Sequence, residues 1–170
     1  MSLTKKRTFP LRYLPKQITN RDKALYSRGL LRSRKQYRQH QYYTRNPIAS
    51  FRSKPSKHIT RARRIYGVPN IVPGPQLAKA TGCSVRALQD IVKKGEGAYY
   101  SSGSRPNQTA QSWGLARLAS AITAGKSAAV DFAILDKGCQ HGKRAYRYAL
   151  QSRRKYGHGQ GRTRKTAIRG

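Results

Sequence analysis

Apolar residues fall into helical periods in the middle of this 170-residue chain and lose that order towards both ends. Val85, Leu88, Ile91 and Val92 share one face of a helix predicted over 85–94, with Ser84 as its cap and Gly95 at its end. A short helix over 75–81 precedes it, with Pro75 in the first position and Gly82 as the stop. Leu115, Leu118, Ala119 and Ile122 recur at i, i+3, i+4 and i+7, which predicts a helix over 108–124 with Trp113 near its start. A fourth helix is predicted over 127–137, burying Val130 and Ile134, with Phe132 and Leu135 as further candidates. A fifth, over 142–156, places Tyr146, Ala149 and Leu150 opposite Arg144, Arg147, Gln151 and Arg154. The turn-rich stretch 96–110, EGAYYSSGSRPNQTA, reads as a loop.

The flanks read differently. Residues 1–19 predict an extended arm, because Pro10 and Pro15 fix φ and restrict their neighbours, while Phe9, Leu11, Tyr13 and Leu14 offer anchoring side chains. A short exposed helix is expected from Asn20, with Asn20 as N-cap, Asp22 in the first turn and Gly29 past its end. Residues 32–66 interleave Arg and Lys with Tyr37, Tyr42, Tyr43, Phe51 and Tyr66. That pattern suits either phosphates held by basic groups with bases against Tyr faces, or aromatics that dock an arm on another protein. Residues 68–74 are a Pro/Gly-punctuated linker, and the Gly/Arg-rich tail should be disordered alone. The expectation is a mainly α protein: a small helical core domain over 70–156, built from a helix-turn-helix-like pair and about three more helices, between a basic extended arm (1–69) and a basic tail (157–170).

Charge sharpens the picture. Lys and Arg number 37 against 5 Asp and Glu, a net +32. Residues 1–70 carry +18, 71–137 only +4 and 138–170 +10. At one phosphate charge per ~1.7 Å, 32 charges match about 54 Å of DNA duplex. Hydrophobic content, 36%, is low for a chain folded throughout. No apolar run is long enough to span a bilayer, and the start lacks a secretory h-region; a transit-peptide helix there is interrupted by Pro10 and Pro15. Cys83 and Cys139 make no disulfide framework and point to a reducing compartment.

Few motifs carry chemistry. Gln76–Val92 looks like a helix-turn-helix in which Val85, Arg86, Ala87, Gln89 and Asp90 would face a major groove, Arg86 suiting guanine and Gln89 adenine; against this, Asp90 opposes phosphate and short helix pairs with a Gly turn are common in proteins that never read DNA, which favours a purely structural helix pair. Arg-Arg-x-Tyr-Gly occurs at 63–67 and 153–157, which a shared helix-capping solution explains as well as duplication. Ala124-Gly125-Lys126-Ser127 ends like a P-loop, but Ser120 stands where its first Gly belongs and a helix precedes it. Cys139 and His141 are a weak metal pair, with His40, His58 and His158 remote in sequence, so no metal or cofactor is expected. Five carboxylates leave little for acid–base catalysis, and no enzyme activity is expected. The Ser hydroxyls and Arg105 of the 99–108 run suit a phosphate cradle, or a loop packed on Trp113.

The run KGEGAYYSSGSRPNQT over 94–109, continuing through SWGLARLAS at 112–120, resembles an uncharacterised domain family of large DNA viruses of algae and protists and of some phages. The resemblance extends upstream through Arg45, Pro55 and Ser56 and downstream to Asp131. It implies a viral source without a mechanism. With the basic arms, it leads to the expectation of a non-enzymatic minor capsid protein on the inner capsid face or in the virion interior, present in host cytoplasm or nucleus during assembly. Its partners would be the major capsid protein, other capsid proteins and viral DNA, with no membrane insertion. The alternatives are an internal DNA-binding protein and a nucleic-acid enzyme. The expected polyanion contacts are Arg32, Arg34, Lys35, Arg38, Arg45, Arg61, Arg63, Arg64, Arg86, Gln89, Arg105, Arg144, Arg147, Arg153 and Arg154.

Overall fold

A computed structural model describes residues 6–159, 161 and 163–168. Among them the chain runs β1 (Arg7–Pro10), α1 (Asn20–Arg38), α2 (Lys57–Tyr66), α3 (Pro75–Thr81), α4 (Val85–Ser101), α5 (Ala110–Ala121), α6 (Lys126–Val130), α7 (Phe132–Gly138), α8 (Arg144–Tyr156) and β2 (Lys165–Ile168). The fold is mainly α, as the periodicity predicts. Residues 6–53, 98–110 and 163–168 make one compact unit; residues 54–97, 111–159 and 161 make the other.

In the first unit, β1 pairs antiparallel with β2, Arg7 opposite Ile168 and Pro10 opposite Lys165, and the Leu11 N–H extends the ladder to the Arg164 carbonyl at 2.7 Å. The tail, expected to be disordered, thus finds its backbone partners in this chain; its residues 160, 162, 169 and 170, like residues 1–5 of the amino-terminal arm, lie outside the described residues. The cap of α1 is Thr19 rather than Asn20: the Thr19 hydroxyl accepts from the Asp22 N–H at 3.2 Å. The helix also passes through Gly29 and ends at Arg38. A mid-helix glycine costs about 1 kcal/mol, which burial of Tyr26, Ser27, Leu30 and Ser33 along one face offsets. Gly103, at φ +139°, is required where it stands, because a Cβ there would lie 2.7 Å from Leu30 Cδ2 and 2.8 Å from Tyr13 Cε2.

The second unit holds a core of Leu77, Leu88, Ile91, Val92, Leu118, Ile122 and Leu135, joined by Ala62 of α2 and by Ala145 and Ala149 of α8. Val68 and Ile71 of the supposed linker are buried in it too. A Cβ on Gly95 would lie 2.6 Å from Gly114 Cα, so α4 and α5 cross backbone against backbone. The helix expected over 127–137 is two, α6 and α7, divided at Asp131. The Asp131 carboxylate is fully buried and takes the Arg117 fork at 2.7 and 2.8 Å, with Lys94 Nζ at 3.6 Å. Val130, expected in the core, is exposed.

Cys83 and Cys139 are joined in a disulfide, with Cα atoms 3.8 Å apart across an isolated antiparallel bridge. Ser84 N–H to Gly138 C=O (2.7 Å) and Gln140 N–H to Gly82 C=O (2.8 Å) flank the pair. This corrects the expectation of two unpaired thiols and removes the argument for a reducing compartment. A separation of 56 residues hides the pairing, which exists because the end of α7 returns to the α3–α4 turn.

Candidate nucleic-acid interface

In the second unit, Ser56 caps α2 by accepting from the Ile59 N–H, and burial of Ala62 with partial burial of Ile59 and Tyr66 fixes which face is covered. Lys57, Arg61 and Arg64 then fall at i, i+4 and i+7 on the opposite face and, with Pro55 and Thr60, line a shallow groove of about 320 Å³. Seven residues of helix rise about 10.5 Å, close to three phosphate steps of about 3.4 Å along one DNA strand. Arg63 is also exposed. At the end of α2 the Gly67 N–H caps the Arg63 carbonyl at 2.9 Å, and the Gly157 N–H does the same for Arg153 at 2.8 Å, so the repeated Arg-Arg-x-Tyr-Gly serves one capping job twice.

The helix pair α3–α4 forms with the predicted turn and starts, although α4 passes through Gly95, its expected end. Gly82 turns the chain at φ +76°, and Ser84 caps α4 by accepting from the Ala87 N–H at 3.1 Å. Arg86, Gln89 and Lys93 are exposed at i, i+3 and i+7. Ala87 is not available to a groove: it is 5% exposed and meets Gly138, whose Cβ position lies 2.3 Å from its own. On α8, Arg144 donates to the Ile65 carbonyl (2.9 Å), Arg147 to Gly142 (2.8 Å), and Arg153 lies over the Phe132 ring at 4.4 Å. All three and Arg154 remain exposed. Burial raises the Tyr66 phenol above its ordinary pKa, and its hydroxyl donates to the Ile122 carbonyl.

The first unit sorts its basic residues more sharply. Arg32, Lys35, Arg38 and Arg105 are exposed. Arg34 is half-buried, with Nε on the Ser102 carbonyl at 2.8 Å and its guanidinium 5.1 Å from the Phe9 ring centre; burial lowers its pKa. Arg45, expected at a polyanion, is only 5% exposed and cannot present its charge there. Its Nε donates to Tyr26 Oη (3.1 Å), Nη1 to Ser33 Oγ (3.0 Å) and the Tyr99 carbonyl (2.7 Å), and Nη2 to Ser104 Oγ (2.8 Å), while its guanidinium carbon lies over the Tyr99 ring, 3.8 Å from the ring centre. None of these partners is anionic. Desolvation raises the Tyr26 pKa, with Arg45 pulling the other way.

The distinctive run explains itself here. The stretch expected as a loop continues α4 to Ser101, and the end of that helix is capped by side chains: Arg45 takes the Tyr99 carbonyl, Ser33 the Tyr100 carbonyl at 3.0 Å. The negative end of the helix dipole gives Arg45 roughly half a countercharge. Asn107 closes the loop, its Oδ1 accepting from the Ile48 N–H at 2.7 Å and its Nδ2 donating to the Ile48 and Phe51 carbonyls. Ser104 and Asn107 of the run are therefore engaged with Arg45 and with residues 48–51, while Ser101, Ser102 and Arg105 are exposed. Among the described residues no group of three or more His, Cys, Asp or Glu could hold a metal ion.

The chain matches the model of a family of unknown function, DUF5824, over residues 10–140. It belongs to that family. The DUF5824 match takes in α1 to α7, with the whole Tyr99–Asn107 run, and leaves α8 and β2 outside. No curated protein and no solved structure matches the chain. Reading from sequence missed Tyr26, Ser33, Tyr99 and Ser104 around Arg45, and also Lys57 and Lys93. The i, i+4, i+7 spacing of Lys57, Arg61 and Arg64 was the available signal for the first of these lysines.

Proposed function

We propose that the protein is a non-enzymatic nucleic-acid-binding component of a DNA virus particle, which neutralises phosphate through exposed Arg and Lys on α2, α4 and α8. The observation that carries this reading is the charge on each folded unit. Over the described residues the first unit has 16 basic and 1 acidic side chains, net +15, and the second 18 and 4, net +14. The near-neutral centre read from sequence disappears because α2 and α8 pack their alanines into the second core and carry their arginines with them. Both units are then strongly cationic, which favours a polyanion as partner. The resemblance of the 94–120 run to proteins of large DNA viruses supports the particle.

The expected minor-capsid role, with basic arms tying capsomers together, is the second reading; β1 and β2 pair with each other, which leaves the other basic segments to make such ties. Base reading keeps one specific observation in its favour, the exposure of Arg86 and Gln89 on α4. The test is fluorescence anisotropy on unrelated duplexes across a salt series. The reading requires log affinity to fall steeply with log salt at similar strength on every sequence; affinity indifferent to salt refutes it. A preference for one site that bulk competitor does not remove, lost in Arg86→Ala, would establish base reading.

A further inference from the structure

One cavity in the first unit joins charge to apolar surface. It has a volume of about 280 Å³ and is bounded by α1 through Leu25, Tyr26, Arg28, Gly29 and Arg32, and by the 43–48 segment through Tyr43, Arg45, Asn46, Pro47 and Ile48. Arg28 and Arg32 stand one helical turn apart at its exposed rim, and the Arg32 guanidinium lies 4.3 Å from the Tyr43 ring centre. Arg45 lies against Gly29, its Cγ 3.5 Å from where a Cβ would be. No acid lines the cavity. The one acidic side chain of the described first unit, Asp22, is bonded to the Ser50 N–H and hydroxyl. Leu25 at the rim leaves 44% of its surface exposed and supplies apolar surface beside the two arginines.

We propose that this cavity binds a single nucleoside phosphate, with the phosphate between Arg28 and Arg32 and the base against Leu25, Pro47 and the part of the Tyr43 ring that the Arg32 guanidinium leaves uncovered. Two guanidinium forks one turn apart suit a tetrahedral dianion, and the aromatic and aliphatic wall suits a flat, weakly polar ring. The buried charge of Arg45, only partly offset by the end of α4, adds a fixed positive field behind the site. The volume, near the lower limit for small-molecule pockets, admits one nucleotide and no more. That nucleotide is either free or the unpaired end of a strand; the second case rests on the proposed nucleic-acid function, the first does not.

The test is isothermal titration of the full chain with adenosine monophosphate, inorganic phosphate, a 5′-phosphorylated single-stranded oligonucleotide and a glutamate-rich peptide. Adenosine monophosphate should bind at one site and more tightly than inorganic phosphate. Arg32→Ala and Tyr43→Ala should each weaken it about tenfold while far-ultraviolet circular dichroism stays unchanged. Tyr43→Ala should leave duplex affinity and its salt slope intact, which separates this site from the α2, α4 and α8 surfaces. An oligonucleotide that binds more tightly than the monophosphate and also responds to Tyr43→Ala identifies the strand end as the source; an oligonucleotide indifferent to it identifies the free nucleotide. Equal binding of phosphate and nucleotide, equal binding of the acidic peptide, or nucleotide binding unchanged in both variants overturns the proposal.

Discussion

Replacing Arg45 with Met keeps most of the side-chain length and removes the charge with all its donors. Four hydrogen bonds between 2.7 and 3.1 Å disappear, and the Tyr99 carbonyl at the end of α4 loses its cap. Hydrogen bonds from a charged donor contribute about 1.5–3 kcal/mol each, and the helix terminus up to about 2 kcal/mol. Against this, several kcal/mol of desolvation cost are released when the buried cation goes. With each bond at the lower value, the helix terminus at its full value and about 4 kcal/mol of desolvation released, the balance is a loss of about 4 kcal/mol, large beside the ~5–15 kcal/mol that holds a domain together. Arg45→Lys, which keeps the charge but offers three donors without the planar fork, should cost about half as much. Urea-dependent amide exchange over 20–38 and 98–103 reads the effect where it acts, and both segments should lose protection together. If the Met variant stays within about 0.5 kcal/mol of the parent, the network does not hold this unit and the reasoning is wrong.

Other consequences follow from both units. Reducing the Cys83–Cys139 bond opens a loop of 56 residues, for which the chain-entropy relation gives a loss of about 4 kcal/mol; urea midpoints from Trp113 fluorescence, with and without reductant, should differ accordingly, and coincident curves would refute the closure argument. Gly114→Ala places a Cβ 2.6 Å from the Val92 carbonyl oxygen and 3.0 Å from Val92 Cγ1, so the same fluorescence assay should show a loss of about 1–3 kcal/mol from overpacking. Tyr26 and Tyr66 both have phenol pKa values raised by burial. Their contribution is fully present below the ordinary phenol value near 10 and is lost as pH rises from there towards the folded values, because the unfolded chain ionises first. Thermal midpoints should therefore fall above about pH 10, and the fall should shrink in Tyr66→Phe.

What could be read from sequence follows physical range. The core faces of α4 and α5, the Gly82 turn and the Ser84 cap depend on neighbours within a turn or two, and local pattern reveals them. Gly29 misled because glycine signals a helix end only when no buried face continues beyond it, and Leu30 and Ser33 continue one. The 96–101 stretch misled for the same reason: its small and polar residues read as a loop, but burial of Tyr99 and capping from Arg45 and Ser33, more than fifty residues upstream, keep it helical. Long-range pairings such as Cys83 with Cys139 or β1 with β2 leave no local trace. Arg45 shows the limit most clearly, since in a run of arginines and tyrosines nothing local separates the one that is buried from those that meet solvent.

The α2 stripe tests the central claim most directly. A variant with Lys57, Arg61 and Arg64 all changed to Gln removes three charges from an exposed helix face without touching Ala62, Ile59 or Tyr66. On one random duplex, the slope of log affinity against log salt should become shallower by about 2.7, at about 0.9 for each phosphate no longer neutralised, with the fold unchanged by circular dichroism. A slope equal to that of the parent protein would contradict the claim that these side chains meet phosphate.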